Sequence, residues 1–316
     1  MAIPQDNRYF TEVVSATLDA TRKEHIDLLF NSNALFARAY KKNKVVLVGG
    51  DEIQVNFSYD KSPFTWFTGM GSLPIEQKET STLMRFDWKQ AAGTLTFAGI
   101  DTFKNRGPYQ QFDIVNNKLV NVRMTMADKL GDAMFNDGTV SDQIIGLRQA
   151  VNTTGDYGKI TRGTDVIGTA VKGNVDSTGG AITIPTVNSL MGTASAGGAV
   201  KPDLLITTQT LWDALWARVH PLQRFSANEG HHADIGFDYI SISGAAVVAD
   251  SHCPVGYMFG LNTDYVEFYV GEGKDFAMRG PFELHSQDAF TAQIMLYCAL
   301  VVSAPRLCFN ASGLTA

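Results

Sequence analysis

The sequence predicts a mixed α+β chain built around one long helix, and three observations carry that prediction. Between Pro108 and about Phe135 the apolar residues Phe112, Val115, Leu119, Val122, Met126, Leu130 and Met134 recur every three or four positions, which draws one stripe along a helix. From Val45 to Phe97 the period falls to two. After the helix, short apolar runs rich in β-branched residues alternate with Gly- and Thr-rich turns and with brief helical patterns.

The long helix is the best-marked element. Asp113, Lys118, Arg123, Asp128 and Asp132 fall mostly off the stripe, on its wetter sides. Pro108 suits the first turn, where its missing N–H has no helical partner to lose. Asn136-Asp137-Gly138 is expected to close the helix, with Gly138 in the left-handed cap. At 1.5 Å per residue such a rod is about 40 Å long, well beyond the usual soluble helix.

In front of it, residues 8–40 read as short helices, with Val13, Val14 and Leu18, then Ile26, Leu29, Phe30, Leu35 and Phe36 at helical spacing. The polar Asn31-Ser32-Asn33 breaks the phase. This is an arm whose apolar face needs a partner. Val46 and Val48 then lead through Gly49-Gly50 into Ile53, Val55, Phe57 and Tyr59, which alternate with polar residues. Met84, Phe86 and Trp88 form a second alternating run, and Leu95 with Phe97 a third. Alternation of this kind means strands with one apolar and one wet face. Asp60 to Glu79 joins the first two runs and contains Pro63, Gly69, Gly71 and Pro74. That is too long for an ordinary hairpin turn, and long loops usually have a task. It also carries Phe64, Trp66, Phe67 and Met70, whose apolar surface needs cover from the same chain or from a neighbour.

Beyond the helix, Ile144 to Val151 suggests a short helix, and a loop-rich region follows with another near Thr186–Ala194. Leu204-Leu205-Ile206 reads as a buried strand, and Thr208 as the N-cap of a helix bearing Trp212, Leu215, Trp216 and Val219 that Pro221 ends. Strands are expected at Ile240/Ile242, Ala245–Ala249, Tyr257–Leu261 and Val266–Val270. A central strand is expected at Ala292–Val302, an apolar run too short to span a membrane.

Composition narrows the function classes. A chain of 316 residues, 45% hydrophobic, can bury a large core. Its net charge of −6 argues against tight autonomous binding to nucleic acid. The single basic cluster, Arg38, Lys41, Lys42 and Lys44, reads as the solvated end of a helix. No signal peptide or 18-residue apolar run is seen, so a soluble intracellular chain is expected. Cys253, Cys298 and Cys308 lack paired short spacing and read as buried thiols. No phosphate-binding glycine loop, nucleophile elbow or His-Glu-x-x-His run occurs. His231, His232, Asp234 and His252-Cys253 are the concentrated ligand-type residues, and a polar loop explains them better than a metal site. No catalytic residue, cofactor or metal is expected; a hydrolase built on His231, His232, Asp250 and Cys253 is the alternative from another class.

The order of parts, and stretches such as SNALFARAYKKNKVVLVGGDEIQ at 32–54, RFDWKQAAGTLTFAGIDTFKNRG at 85–107, KPDLLITTQTLWDALW at 201–216 and CPVGYMFGLNTDYVEF at 253–268, resemble the major capsid protein of tailed bacteriophages. That family has the Hong Kong-97-like fold, shared with bacterial encapsulins. The resemblance implies an N-arm at 1–44, an E-loop hairpin with flanking strands at 45–100, and a peripheral domain with its spine helix at 101–137. It implies an axial domain at 138–260 and a return to the peripheral domain at 261–316. Phe64, Trp66, Phe67 and Met70 become assembly contacts at the E-loop tip, and Phe112, Val115, Leu119, Val122, Met126 and Leu130 the core of the spine helix. The implied function is an icosahedral shell of pentamers and hexamers around double-stranded DNA, touched only weakly. The implied place is the virion, assembled in the bacterial cytoplasm without a membrane. Because the chain starts almost directly with the arm, scaffolding is expected to come from a separate protein or to be dispensable, with a portal and a possible decoration protein as further partners. An encapsulin-like compartment is the alternative within the fold. Lys61 and Lys78 lie near the expected tip, but no cross-linking partner is identifiable.

Overall fold

The structure, a computed structural model, describes residues 33–100, 108–195, 200–219, 240–283, 285 and 287–316, and for residues 108–117 and 123 the backbone alone. It opens on helix α1 (Ala34–Lys42), capped where Asn33 Oδ1 accepts the Phe36 N–H at 2.9 Å. Strands β1 (Lys44–Leu47), β2 (Glu52–Ser58), β3 (Ser81–Asp87) and β4 (Lys89–Ala98) follow. Helix α2 (Pro108–Met134) begins at the proline that the sequence singles out.

Its described apolar stripe is Leu119, Ala127, Leu130, Ala133 and Met134, all buried, with Val122 and Met126 half-buried against the same core. The side chains of Phe112 and Val115 lie outside the described residues. The expected glycine cap is not how the helix ends. Its last turn tightens instead, with Phe135 N–H donating to Asp132 O and Asn136 N–H to Ala133 O. Gly138, at φ +84°, shapes the turn beyond, where its N–H meets Asn136 Oδ1.

Then come α3 (Leu147–Ala150), β5 (Asp156–Tyr157), β6 (Ile160–Thr161), α4 (Val166–Ala170), β7 (Asn174–Asp176), β8 (Gly180–Ala181) and α5 (Ile184–Ala194). The chain continues through β9 (Leu204–Thr207), α6 (Gln209–Val219), β10 (Ile240–Ile242), β11 (Ala245–Ala249), β12 (Met258–Leu261) and β13 (Val266–Gly271). It closes with β14 (Ala277–Glu283), β15 (Ala289–Val302), β16 (Phe309–Ala311) and β17 (Leu314–Thr315).

Two sheets organise these elements. In the first, β15 is central: β13 and β14 pair along it, β4 pairs it from Cys298↔Lys89 to Ala289↔Ala98, and β1 runs parallel to β13 at the edge. Leu95, Phe97, Ile294 and Leu296 are buried on the core side, with α2 packed on β4. The approach is closest at Gly93, where a Cβ would stand 2.6 Å from Val122 Cγ1. The second sheet has the order β10-β11-β9-β12-β16-β7. One of its faces, with Leu205, Val247, Met258 and Phe309, shares a core with α5 and α6. Its other face, with Leu204, Ile206, Phe259 and Leu261, joins the core of α2, where the Phe135 and Phe259 rings lie 5.6 Å apart.

Three expectations shift. Residues 34–42 of the arm are covered by their own chain, with Phe36 edge-on to Phe268 of β13. On α6 the buried stripe is Leu211 and Leu215; Trp212 and Trp216 stack on each other at the rim, with Trp216 left exposed. The last long strand starts at Ala289, not Ala292. Residues 1–32, Pro221 and the His231–Asp234 cluster lie outside the described residues.

Candidate assembly surface

β2 and β3 form the stem of a hairpin, registered from Glu52↔Asp87 to Ser58↔Ser81. Ile53, Phe57, Met84 and Phe86 share its buried face. That face packs on the turn between β5 and β6, where Phe86 and Tyr157 meet with ring centres 5.1 Å apart. Gly158, at φ +60°, is needed there, because a Cβ would stand 2.8 Å from that of Met84. Tyr157 is itself fixed from below: its hydroxyl accepts the Val302 N–H at 2.7 Å. Lys159 reaches both carboxylates at the hairpin's foot, Glu52 and, at 3.1 Å, Asp87. The stem belongs to the core.

The loop does not. Tyr59 N–H still pairs with Thr80 O, and Lys78 sits 2.7 Å from Asp60, so this lysine closes the loop's base instead of lying at its tip. The Lys78 hydrogen bond holds the Asp60 carboxyl below its usual value, aided by the Lys61 N–H. From Lys61 to Glu79 every residue is exposed and no regular element forms. Phe64, Trp66, Phe67 and Met70 all project into solvent, Trp66 with 89% of its surface open. Leu73 and Ile75, which the sequence reading did not single out, join them. The signal for these two was available: Ser62 to Ile75 contains no charged residue. Together these side chains make an uncharged run of large apolar residues left in solvent.

A groove of about 570 Å³ also lies between α2 and β4. Ala91, Gly93, Val122, Met126, Leu130 and Leu296 are among the residues lining it, and Lys89, Lys118, Lys129 and Asp142 supply its charged groups. No sequence pattern pointed to it, because β4 meets β15 and α2 only through long-range pairing.

The basic cluster, by contrast, is largely engaged within the chain. Arg38 pairs with Asp203 at 3.4 Å, Lys42 with Asp264 at 2.7 Å, and Lys44 with Asp275. Asp203 also accepts the Thr263 N–H at 2.7 Å, so these ions fasten α1 to the body.

The residues considered for chemistry are packed rather than poised. Among the described residues no group of His, Cys, Asp and Glu is arranged to hold a metal ion. Buried Asp250 accepts the His252 N–H at 2.9 Å, and the His252 ring lies over Gly131 of α2, with Nε2 3.4 Å from Asp128. Burial pushes the Cys253 thiol far up, with neighbouring Asp250 adding to the shift, opposite to what a nucleophile needs. Burial likewise pushes Cys298 and Cys308 up to about 12.

No family model matches the sequence, and no curated protein matches it. Solved structures do match. A chain of the capsid asymmetric unit of cyanophage A-1(L) is 14% identical, with 90% of this chain and 93% of that one covered at a TM-score of 0.71. The holo-encapsulin complex of Synechococcus elongatus PCC 7942 is 11% identical over 86% and 85%, at 0.59. The capsid of a native GTA particle is 11% identical over 88% and 90%, at 0.58. At such identities the likeness is one of fold: the chain has the Hong Kong-97-like α+β capsid fold.

Proposed function

We propose that this chain is the major capsid protein of a tailed bacteriophage, a subunit that closes into an icosahedral shell of pentamers and hexamers around double-stranded DNA. The observation that supports it most is the conjunction of a shell-protein fold with an uncharged, solvent-facing loop at Lys61–Glu79. A lone subunit leaves that surface wet; a ring of subunits covers it at every copy. Each contact is modest, and closure multiplies them.

In this reading residues 1–44 are the arm, 45–100 the hairpin region, 101–137 and 261–316 the peripheral domain, and 138–260 the axial domain. The tip residues Phe64, Trp66, Phe67 and Met70 contact the neighbouring subunit, and α2 is the rigid spine. The net charge of −6 suits a wall that touches packaged DNA weakly. A scaffolding protein, a portal and a decoration protein are the partners it implies, with assembly in the host cytoplasm and location in the virion. The buried thiols and engaged His252 suit a structural role without catalysis. An encapsulin-type compartment is the second reading, favoured by the 0.59 likeness to an encapsulin.

Electron microscopy of the expressed chain, alone and with its neighbouring genes, tests the proposal. Rings, tubes or closed shells are expected, with nuclease-protected DNA once packaging partners are present. Shells loaded with an enzyme in place of DNA would favour the compartment. A monodisperse monomer at all concentrations and salts, with scaffold present, would overturn both.

A further inference from the structure

We infer that the groove between α2 and β4 binds a long-chain carboxylate, with its head on Lys118 and its alkyl chain along the apolar floor. The inference concerns the unassembled subunit and does not depend on the shell reading. At about 570 Å³ the groove has the size of a small-molecule site, about 300–1,000 Å³, and such sites are mostly apolar with a few placed polar groups. Ala91, Gly93, Val122, Met126, Leu130 and Leu296 supply the apolar part. Two lysines single out an anion. Arg38, Lys42 and Lys44 each face a carboxylate. Lys118 and Lys89 have none among the described residues: their Nζ atoms donate to backbone carbonyls, Thr96 O and Ser141 O, both at 2.6 Å. Each ammonium keeps charge and donors to spare.

The two ends of the groove differ, which orients the ligand. Asp142, the acidic residue of the lining, follows Ser141 and so stands at the Lys89 end. A carboxylate head is repelled there and attracted at Lys118. Lys118 is also held in place, its Nζ lying 4.8 Å from the centre of the Phe97 ring. Asn121, one turn further along α2, brings an amide to the same end. From Thr96 back to Lys89, β4 runs about 23 Å at strand rise, which gives a long alkyl chain room. A lone ammonium at the surface holds an anion weakly. Burial of the chain supplies the rest, about fourfold in affinity for each methylene.

Titration calorimetry of the full chain with octanoate, decanoate and dodecanoate, each below its micelle concentration, tests this. Saturable binding is expected, with Kd falling about fourfold per added methylene and decanoate binding more tightly than decanol. Lys118→Met should weaken decanoate at least about tenfold and leave decanol unchanged, while Lys118→Arg should keep the preference for the carboxylate. Lys201→Met, which removes an exposed charge outside the groove, should change neither. Ala91→Trp fills the groove at an exposed position and should abolish binding of both ligands, with folding checked by circular dichroism. Should that variant fail to fold, the Lys118 series still decides. Absence of saturable binding, equal affinity for decanoate and decylammonium, or decanoate binding unaltered by Lys118→Met would each overturn the inference. So would loss of binding in Trp66→Ser with Phe67→Ser, because it would place the ligand on the exposed loop.

Discussion

The second half of α2 and the Lys61–Glu79 loop are both rich in large apolar side chains, yet the chain treats them oppositely. Leu119 is fully buried, while Trp66 keeps 89% of its surface in water. Hydrophobicity does not separate them; the glycines and prolines set among the loop's apolar residues do. On α2 the apolar residues recur at helical spacing with polar residues between, so a single face meets β4 and the core closes over it. In the loop Phe64, Phe67, Met70 and Leu73 also fall three apart, but Pro63, Gly69, Gly71 and Pro74 interrupt the run. No element forms that could lay them against their own sheet. A covered apolar face stabilises its own chain; an uncovered one adds nothing to that stability.

The largest test of that contrast strikes the covered side. Leu119→Asp places a carboxylate where no water reaches, at a cost of several kcal/mol against a net stability of about 5–15 kcal/mol for a domain. Insoluble or unfolded protein is expected. Lys118→Ala, one residue away, removes a bond to Thr96 O and should fold. Equal solubility of both variants would show that the helix phase is wrong.

Arg162 offers the next. It is buried and donates to the carbonyls of Gln149, Ala150, Thr154 and Val171, and burial depresses its pKa to about 10. Arg162→Met strands those acceptors, and a loss of about 3–5 kcal/mol is expected by chemical denaturation. A loss below 1 kcal/mol, on the order of a surface change, would mean that water replaces the guanidinium. Tyr157→Phe removes a single hydroxyl from Val302 beneath the hairpin stem, with about 1–2 kcal/mol expected. Its effect should fall on the stem and leave the loop's exposure unchanged.

Alkaline pH probes the covered side through its thiols. Cys298 and Cys308 ionise near 12 when folded, against 9.0 as the ordinary value. A raised folded pKa gives stability that is complete below about 9 and is lost as pH climbs toward 12. Each thiol should cost about 1.4 kcal/mol by pH 10. Changing both to Ala should lessen the decline without abolishing it, because the Cys253 thiol is raised as well, and an unchanged slope would assign it to other groups.

What the sequence disclosed follows the same division. Elements with an uninterrupted period were legible: α2 from its stripe, the hairpin stem from its alternation, β9 from Leu204–Ile206. β14 was not, because Gly280-Pro281 interrupts it and its register on β15 shifts between Arg279 and Phe282. The strands of two residues, such as β5, β8 and β17, are too short to show any period. The tip aromatics could be named as needing cover, but whether their own chain supplied it depended on where the stem points. The groove was invisible for a related reason. It exists only once β4 pairs with β15 and α2 crosses Gly93, contacts that no local pattern encodes.

The smallest effect on the subunit belongs to the uncovered side, and it is the most telling. Trp66→Ser with Phe67→Ser removes two large side chains that the folded monomer leaves in water, so the thermal unfolding of unassembled subunits should be nearly that of the parent. Assembly is where the change should appear. Sedimentation velocity of the folded double variant, under conditions in which the parent forms particles, tests the account most directly. It predicts subunit-sized boundaries with closed shells absent or fragile. Shells at the parent's yield would contradict it and leave the loop without a role between subunits.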